Sequence, residues 1–439
     1  MIKKNTIFAL TTPLGKSGVA VIRVSGPNAL YAATKLTQKT RFEHRLCEVV
    51  DFFDQQNNKI DKGIIIYFKG PSSFTGEEVV ELQTHGSIAV IKALIKELSD
   101  FPDFRFAEAG EFAKRAFLNN KLDLTQAEGL EDLINAETSI QLRQAINQLD
   151  GKFHDYIWKW REQIIELIAY IETFIDFPDE DIPADIERQI NSKVMNLMDS
   201  IKDYLDDRGA GELIKSGVYI SISGQPNVGK SSLINYFAGR DVAIVSQIAG
   251  TTRDVIETVI DIEGIPVIFA DTAGIRESSD EVEKIGISKA HETIEKSNLK
   301  IKLFSIIDDA IASSSSDDEL LVVNKTDLDL SKAKLFEKNK NIILISVKEG
   351  VGLERLREAI KEKLSYLNSH SNVPFITRAR YRTHLENAFQ VLTDFLVNKD
   401  IVLAAEDLRL AKREFEKISG VVEVDAILDV IFSSFCIGK

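Results

Sequence analysis

The chain has 439 residues, is 44% hydrophobic and carries a formal net charge of −14 at pH 7. This length predicts two to four domains, and the composition supplies enough apolar side chains for folded cores. The sequence contains no long uncharged apolar run, so no membrane span is predicted. The residues after Met1 are expected to lead into a strand rather than to form a signal peptide. Two cysteines and six histidines without paired spacing argue against disulfides and structural zinc, and favour a reducing cytoplasm. The acidic balance disfavours nucleic-acid binding over the whole surface, although a local basic patch can still exist.

The first part of the chain predicts a mixed α+β domain over residues 1–118. The short apolar runs at 19–24 and 63–68 are typical of strands, and a helix is expected near 87–98. Residues 119–212 contain few glycines and repeat apolar residues at helical spacing, which predicts long helices. The helical pattern returns over 367–439, after a segment 213–366 of a different character.

The arrangement of these segments predicts one all-α helical domain that is interrupted by an inserted α/β domain. Insertion is tolerated where the two ends of a domain lie close together. Two separate helical units remain the alternative.

The inserted segment contains Gly224-Gln-Pro-Asn-Val-Gly-Lys-Ser231, which fits the phosphate-loop pattern G-x-x-x-x-G-K-[ST]. An apolar run at 218–222 precedes it, and a helical pattern at 232–238 follows it. A strand, a tight turn and a helix N-terminus direct converging backbone N–H groups and a positive dipole at a phosphate. The segment therefore predicts a P-loop nucleotide-binding domain with a Ras-like α/β fold.

Further motifs follow predicted strands and indicate the base and the metal. Asp271-Thr-Ala-Gly274 places a carboxylate for Mg²⁺ through water and a glycine N–H for the γ-phosphate, and Gly250-Thr-Thr-Arg-Asp254 supplies a switch threonine. Asn324-Lys-Thr-Asp327 offers a carboxylate to the N1–H and amine of guanine, a donor pair that adenine lacks. Ser346-Val-Lys348 is expected to close over the guanine oxygen.

These motifs together predict a GTPase with a defined set of nucleotide contacts. The expected Mg²⁺ ligands are Ser231, Thr252 and, through water, Asp271. The expected nucleotide-binding residues are Gly224, Asn227, Val228, Gly229, Lys230, Ser231, Ser232, Ser246, Gln247, Ile248, Ala249, Gly250, Thr251, Thr252, Asp271, Thr272, Ala273, Gly274, Asn324, Lys325, Asp327, Ser346, Val347 and Lys348.

One departure from Ras-like enzymes affects the mechanism. Those enzymes have a glutamine after the D-x-x-G glycine that orients the attacking water, whereas this chain has Ile275. An aliphatic side chain cannot polarise water, so the catalytic group must come from another part of the chain.

Five distinctive stretches are spread over the whole chain: Leu14-Gly-Lys-Ser-Gly-Val-Ala-Val-Ile-Arg23, Ser73-Phe-Thr-Gly-Glu-Glu-Val79, the segment 110–124, Asp271-Thr-Ala-Gly-Ile-Arg276 and the ending Phe432-Ser-Ser-Phe-Cys-Ile-Gly-Lys439. In these stretches the chain resembles the family of tRNA-modifying GTPases called MnmE or TrmE. The resemblance implies a homodimer formed through an N-terminal domain similar to folate-binding modules. It also implies a flavin-dependent partner, MnmG (GidA), with which the enzyme modifies carbon 5 of the wobble uridine in certain tRNAs to a carboxymethylaminomethyl or aminomethyl group. The one-carbon unit is expected to come from a tetrahydrofolate derivative, 5,10-methylene- or 5-formyl-tetrahydrofolate, and FAD is expected on the partner.

The resemblance also implies roles for individual residues. GTP hydrolysis in the family is stimulated when two GTPase domains meet around K⁺, whose ligands correspond to Asn227, Ser246, Ile248 and Thr251. Glu283 matches the acidic residue that orients water, and it is an expected catalytic residue together with Asn227 and Thr252. Cys436 in the C-terminal motif is a further catalytic candidate, and a nucleophilic, a proton-donating and a merely structural thiol remain alternatives for it. Arg23, Glu81, Lys121 and the terminal Lys439 match the folate contacts.

Two regions leave questions open. Arg378-Ala-Arg-Tyr-Arg382 is the best basic cluster for tRNA phosphates, yet a solvated helix start explains it equally well. Ile306-Ile-Asp-Asp309 stands where the family usually has a strand that ends in Val-Asp followed by a small residue. The segment between the switch region and Asn324, to which it belongs, is short.

The sequence thus predicts a cytoplasmic, K⁺-stimulated GTPase of tRNA modification. A ribosome-assembly GTPase switch is one alternative, because it would share every nucleotide motif. A one-carbon transferase with a regulatory GTPase domain is the other.

Overall fold

The computed structural model of the protein describes residues 5–176, 184–240, 244–245, 258–271, 297–308, 316, 318–368, 375–398, 400–421, 428, 431–433, 435 and 438. The strands are β1 Thr6–Leu10, β2 Ser17–Ser25, β3 Cys47–Phe53, β4 Lys59–Phe68, β5 Val79–Gly86, β6 Phe104–Phe106, β7 Val218–Ser223, β8 Ile244–Val245, β9 Thr258–Ile262, β10 Ile265–Asp271, β11 Leu299–Ser305, β12 Glu319–Asn324 and β13 Ile342–Leu344. The described helices are α1 Ala29–Thr37, α2 Ile88–Ser99, α3 Glu111–Leu118, α4 Leu124–Asn135, α5 Ser139–Leu149, α6 Lys152–Asp176, α7 Ala184–Leu205, α8 Ala210–Ser216, α9 Lys230–Arg240, α10 Leu330–Phe336, α11 Leu353–Lys363, α12 Ala379–Val397 and α13 Ile401–Ser419.

The chain divides into two compact units. The first comprises Met1–Glu131, His154–Ile168 and Arg409–Lys439, and the second comprises Asp132–Phe153 and Ala169–Leu408. The domain boundaries drawn from the sequence at 118, 212 and 366 remain a prediction. No helix among the residues that the structure describes has the length and apolarity needed to cross a membrane.

The first unit is built on a six-stranded sheet with the order β3-β4-β5-β2-β1-β6. Strand β1 pairs with β2 antiparallel and with β6 parallel. Its side chains alternate between two cores, as the two-residue period of a strand requires. Phe8 packs with α1 and α2, whereas Ile7 and Ala9 pack with Phe112 of α3. The predicted strands at 19–24 and 63–68 and the helix at 87–98 are confirmed as parts of β2, β4 and α2.

A third core in this unit joins α3 and α4 to the C-terminal segment. Ala113, Leu124 and Ala127 pack with Leu428, Phe432 and Phe435. At the end of the chain, Gly438 lies so close to β1 that a Cβ there would be 2.5 Å from the Leu10 carbonyl oxygen. Gly438 is therefore in close contact with the end of β1.

The second unit contains a seven-stranded sheet with the order β13-β12-β11-β7-β10-β9-β8. Strands β13, β12, β11, β7 and β10 are parallel, and β9 and β8 continue the sheet antiparallel. The apolar runs at 218–222, 267–270, 320–323 and 342–345 are confirmed as the buried strands β7, β10, β12 and β13. In an open parallel sheet, ligands bind outside the carboxyl ends of the strands where the strand order reverses. Here the chain crosses from β10 on one side of β7 to β11 on the other, so this point lies beside β7.

Helices outside the sheet in this unit include α5, α7, α8 and α12. Helix α7 packs along α12. Long helices at 119–212 and after residue 379 agree with the helical periodicity of the sequence, since α6 has 25 residues, α7 has 22 and α12 has 19.

Candidate functional site

The phosphate loop connects β7 to α9, as its sequence motif requires. Asn227 has a left-handed backbone with φ of 65°, a conformation that asparagine tolerates better than most residues. Gly229 has φ of 103°, and a Cβ at this position would be 2.3 Å from Nδ2 of Asn324. Only glycine fits at this point, because both the backbone conformation and the neighbouring amide exclude a side chain.

Lys230 opens α9 and its ammonium group donates to carbonyl oxygens of the same loop. The Nζ–oxygen distances are 2.8 Å to Gly224 and 3.1 Å to Gln225. Ser231 and Ser232 follow in the exposed first turn of α9. This arrangement places a cation and two hydroxyl groups at a helix N-terminus, where an anion is favoured by the helix dipole.

The guanine motif is tied directly to the phosphate loop. The Asn324 side chain is buried, and its Nδ2 donates to the carbonyl oxygen of Val228 at 2.8 Å. Its Oδ1 accepts a hydrogen bond from the backbone N–H of Val347 at 3.1 Å. A single amide thus joins three loops that are remote in sequence, and no polar atom of this side chain lacks a bond.

The carboxylate of Asp327 is held by Ser346. The Ser346 hydroxyl donates to Oδ1 at 2.6 Å, and this bond is the main reason that the pKa of Asp327 lies below its ordinary value. The nearby charges of Lys348 and Lys325 act in the same direction. A carboxylate that stays ionised and fixed is what two-point recognition of guanine needs.

Asp271, the Mg²⁺ ligand that was predicted to act through water, ends β10. Its backbone pairs in register with Ile222 of β7, the strand that leads into the phosphate loop. The predicted residues outside the described part of the chain are Ser246, Gln247, Ile248, Ala249, Gly250, Thr251, Thr252, Thr272, Ala273, Gly274, Glu283, Cys436 and Lys439.

The predicted folate residues Arg23 and Glu81 are opposite each other on β2 and β5. The Nη2–Oε1 and Nε–Oε1 distances of this ion pair are both 2.9 Å, and both side chains are about one-fifth exposed, at 20% and 18%. The guanidinium carbon also lies 5.3 Å from the ring centre of Phe74 and 5.6 Å from that of Phe112. The sequence motifs did not single out these two rings, whose position depends on the packing of α3 against the sheet.

The loop 73–79 is bound to α3 by a partly buried network of polar side chains. Arg115 contacts Glu77 and Glu111 at 2.9 Å and donates to the Asn5 carbonyl at 3.0 Å. Asn119 donates to the Thr75 carbonyl at 2.6 Å. This network brings Lys121, just beyond α3, next to the loop, because a Cβ on Gly76 would be 3.3 Å from Lys121 Cγ.

The basic cluster at 378–382 has a structural role in the second unit. Arg378 makes a bidentate contact with Asp132, at 2.7 and 3.1 Å, and Arg382 contacts Asp207 and Glu212. Tyr381 between them is fully buried. Both arginines are therefore neutralised by carboxylates, and the structure favours the explanation by intramolecular packing over phosphate contacts.

Family models and curated relatives indicate the same family for this chain. A family model described as "MnmE helical domain" matches residues 124–436, and one described as "GTP-binding protein TrmE N-terminus" matches residues 6–121. A tRNA modification GTPase MnmE from Rickettsia canadensis is 45% identical over 99% of this chain and all of its own length. The protein of that name from a Wolbachia of Culex pipiens is 45% identical over 99% of both chains.

Among solved structures, the FeoB G-domain from Methanococcus jannaschii is 22% identical. The match covers 34% of this chain and 98% of that chain with a TM-score of 0.24. The two family models and the strand order of the seven-stranded sheet support the α/β fold of this part of the chain.

Proposed function

Because the chain belongs to the MnmE family of tRNA modification GTPases, we propose that it hydrolyses GTP as part of the modification of tRNA. The observation that carries this proposal is the identity of 45% across 99% of the chain to a curated tRNA modification GTPase. The linked phosphate and guanine loops support the nucleotide half of the proposal, since Asn324 joins Val228 to Val347.

The nucleotide residues take the roles that their chemistry suits. Lys230 and the N-terminus of α9 bind the phosphates, and Asp327 accepts the two donors of guanine. The oxygen donors Ser231, Thr252 and, through water, Asp271 suit Mg²⁺, which prefers oxygen ligands. Mg²⁺ would neutralise charge that develops on the phosphates.

K⁺ is proposed as an activating ion of this site. Asn227 is exposed in the phosphate loop, and its amide oxygen is a hard donor suited to an alkali cation. Ser246, Ile248 and Thr251 complete the proposed ligand set, and Glu283 orients the attacking water. Two GTPase domains meeting around the ion are proposed to stimulate hydrolysis, which compensates for Ile275 in place of a glutamine.

The first unit is proposed to bind a tetrahydrofolate derivative at Arg23, Glu81, Lys121 and Lys439. The Arg23–Glu81 pair offers both a cation and a carboxylate at the wall of the site, with aromatic rings beside the guanidinium group. A polar pterin and an anionic tail need these groups. The close contact of Gly438 with Leu10 supports the inclusion of the neighbouring Lys439 in this site, because β1 pairs with β2, the strand that carries Arg23.

The proposed assembly is a cytoplasmic homodimer that works with the flavoprotein MnmG and carries out wobble-uridine modification with it. The catalytic role of Cys436 belongs to the same proposal. A ribosome-assembly switch would need neither the family's N-terminal domain nor its C-terminal motif, and both are present here.

The proposal is tested by mass spectrometry of nucleosides from tRNA of cells depleted of the protein. We expect aminomethyl-type wobble uridines to disappear, and to return with the wild type and with Arg355→Ala, an exposed control on α11. Asn227→Ala should not restore them. Unchanged wobble uridines after depletion would refute the tRNA function.

Hydrolysis in K⁺ and in Na⁺ tests the ion. Asn227→Ala should abolish K⁺ stimulation while GDP binding changes less than about threefold, because one ion ligand is lost and the phosphate loop's backbone contacts remain. Equal hydrolysis in both salts by the wild type would refute the role of K⁺.

A further inference from the structure

Helix α5 packs directly against the α/β core that carries the phosphate loop. Ile140 is 4% exposed and belongs to the same apolar cluster as Ile260, Ile262 and Ile265. The turn between β9 and β10 approaches so closely that a Cβ on Gly264 would be 2.7 Å from Ser139 Oγ. The hairpin β9–β10 ends at Asp271, so the first turn of α5 supports a hairpin that leads into the nucleotide site.

A second contact connects α5 to the strand before the phosphate loop. Gln141 completes a capping box with Thr138, in which its Oε1 accepts from the backbone N–H of Thr138 at 3.1 Å. Its Nε2 donates to the carbonyl oxygen of Ile214 at 3.0 Å. Ile214 belongs to α8, and β7 begins only two residues after α8 ends. The Gln141 amide therefore links the start of α5 to α8, the helix that leads into β7 and the phosphate loop.

The other end of α5 binds the segment that begins α12. Gln144 Oε1 accepts from the backbone N–H of Phe375 at 3.1 Å. Gln148 accepts from Thr377 Oγ1 at 3.0 Å and donates to the hydroxyl of Tyr381 at 3.2 Å. All five of these residues are buried. Both the oxygen and the nitrogen of the Gln148 amide are bonded, which gives this buried amide one favoured orientation, because any shift leaves a polar group without a partner.

From these contacts we propose that α5 couples the nucleotide site to α12, with Gln141 as the positioning residue. The proposal rests on the GTPase function proposed above. A change in the β9–β10 hairpin or in α8 on nucleotide exchange displaces the first turn of α5. Gln144 and Gln148 pass this displacement to the start of α12. Because coupling between two sites is reciprocal, loosening α5 must also alter the nucleotide site.

The test uses the full chain and compares its GDP form with a form bound to a non-hydrolysable GTP analogue. Hydrogen exchange followed by mass spectrometry should differ between the two forms in peptides of α5 and α12 of the wild type. Gln141→Glu retains the acceptor of the capping box but places a carboxylate against the Ile214 carbonyl. In this variant the difference in α12 should fall, and kcat for GTP hydrolysis should fall about fivefold.

If Gln141 is a positioning residue, its substitution should lower kcat more than it lowers the affinity for GDP. The dissociation constant for GDP in Gln141→Glu should change less than about threefold. Tyr381→Phe, which removes only the hydroxyl that Gln148 binds, should lower the exchange difference in α12 while the protein stays folded. Arg143→Gln alters an exposed residue of the same helix and should behave as the wild type.

Three results would overturn the inference. One is a nucleotide-dependent exchange difference in α12 that persists at full size in Gln141→Glu and Tyr381→Phe. Another is a wild type that hydrolyses GTP with no exchange difference in α12. The third is a loss of GDP affinity in Gln141→Glu as large as the loss of kcat, which indicates a general structural defect. Failure of the wild type to bind GTP would instead refute the proposed function together with this inference.

Discussion

Arg382 provides a test between a structural and a tRNA-binding role for the basic cluster. Its Nε–Glu212 Oε1 distance is 3.0 Å, its Nη2–Asp207 Oδ1 distance is 2.6 Å, and Nη1 donates to the Leu205 carbonyl at 3.1 Å. Burial alone would lower the pKa of this arginine, but the two carboxylates outweigh burial and raise it. The guanidinium fork thus joins the start of α12 to the end of α7 and to α8.

The expected cost of Arg382→Ala follows from what remains behind. The Asp207 side chain is only 6% exposed, whereas Glu212 is 29% exposed and can recover water. Removing one partner of a fully buried pair costs about 3–5 kcal/mol. Because Arg382 itself is 21% exposed, we expect about 2–3 kcal/mol, which corresponds to a decrease in Tm of roughly 5–8 °C for a unit of this size.

Thermal unfolding followed by circular dichroism measures this decrease. Arg382→Lys should recover less than half of it, since an ammonium group cannot make the forked contacts. Arg355→Ala, an exposed control in the same unit, should shift the free energy of unfolding by less than about 0.5 kcal/mol. If Arg382→Ala unfolded like the wild type and only tRNA affinity fell, the structural explanation of the cluster would be wrong.

Three further predictions concern the two units separately. Gly229→Ala should reduce GDP affinity by more than about tenfold in a fluorescent-nucleotide titration, because its Cβ would be 2.3 Å from Asn324 Nδ2; unaltered affinity would contradict the observed loop geometry. Arg23→Ala should weaken binding of 5-formyl-tetrahydrofolate in calorimetry by about tenfold or more while GTP hydrolysis is preserved, and loss of both would indicate misfolding instead. His154→Gln should lower stability by about 1–2 kcal/mol at pH 6 and by much less at alkaline pH, measured by denaturant titration at both pH values, and a pH-independent loss would exclude the charged pair as the cause.

The direction of the His154 effect follows from its contact with Asp123, whose Oδ2 lies 2.9 Å from Nδ1. This carboxylate raises the pKa of His154 above 6.5, whereas burial opposes the shift. Burial alone would raise the pKa of Asp123, but its contacts with His154, Thr125 and Gln126 hold the value below 3.8. The histidine contribution is therefore complete below pH 6.5 and is lost as the pH rises through the raised pKa. The aspartate contribution is complete above pH 3.8 and is lost as the pH falls through the lowered pKa.

Features that depend on short-range geometry could be predicted from the order of the amino acids. The phosphate loop requires its glycines, its lysine and its serine at fixed spacing within eight residues, so Gly224 to Ser231 could be recognised without a fold. The buried strands β7, β10 and β12 were predicted from continuous apolar runs, because a strand covered on both faces has no polar alternation. The family ending at 432–439 was likewise recognisable as a pattern.

Contacts between side chains that are distant in the sequence could not be predicted, because they depend on how the folded segments pack. Arg382 is as suitable for phosphate as for an ion pair, and its partners Asp207 and Glu212 are 175 and 170 residues away in the sequence. Gln141 fits a capping-box pattern with Thr138, but its bond to the Ile214 carbonyl exists only because packing brings that carbonyl to it. Hydrophobic periodicity assigns a residue to a face, but it contains no information about which surface covers that face. The bonds that connect α5, α8 and α12 depend on this pairing of surfaces, and packing of the whole unit determines it.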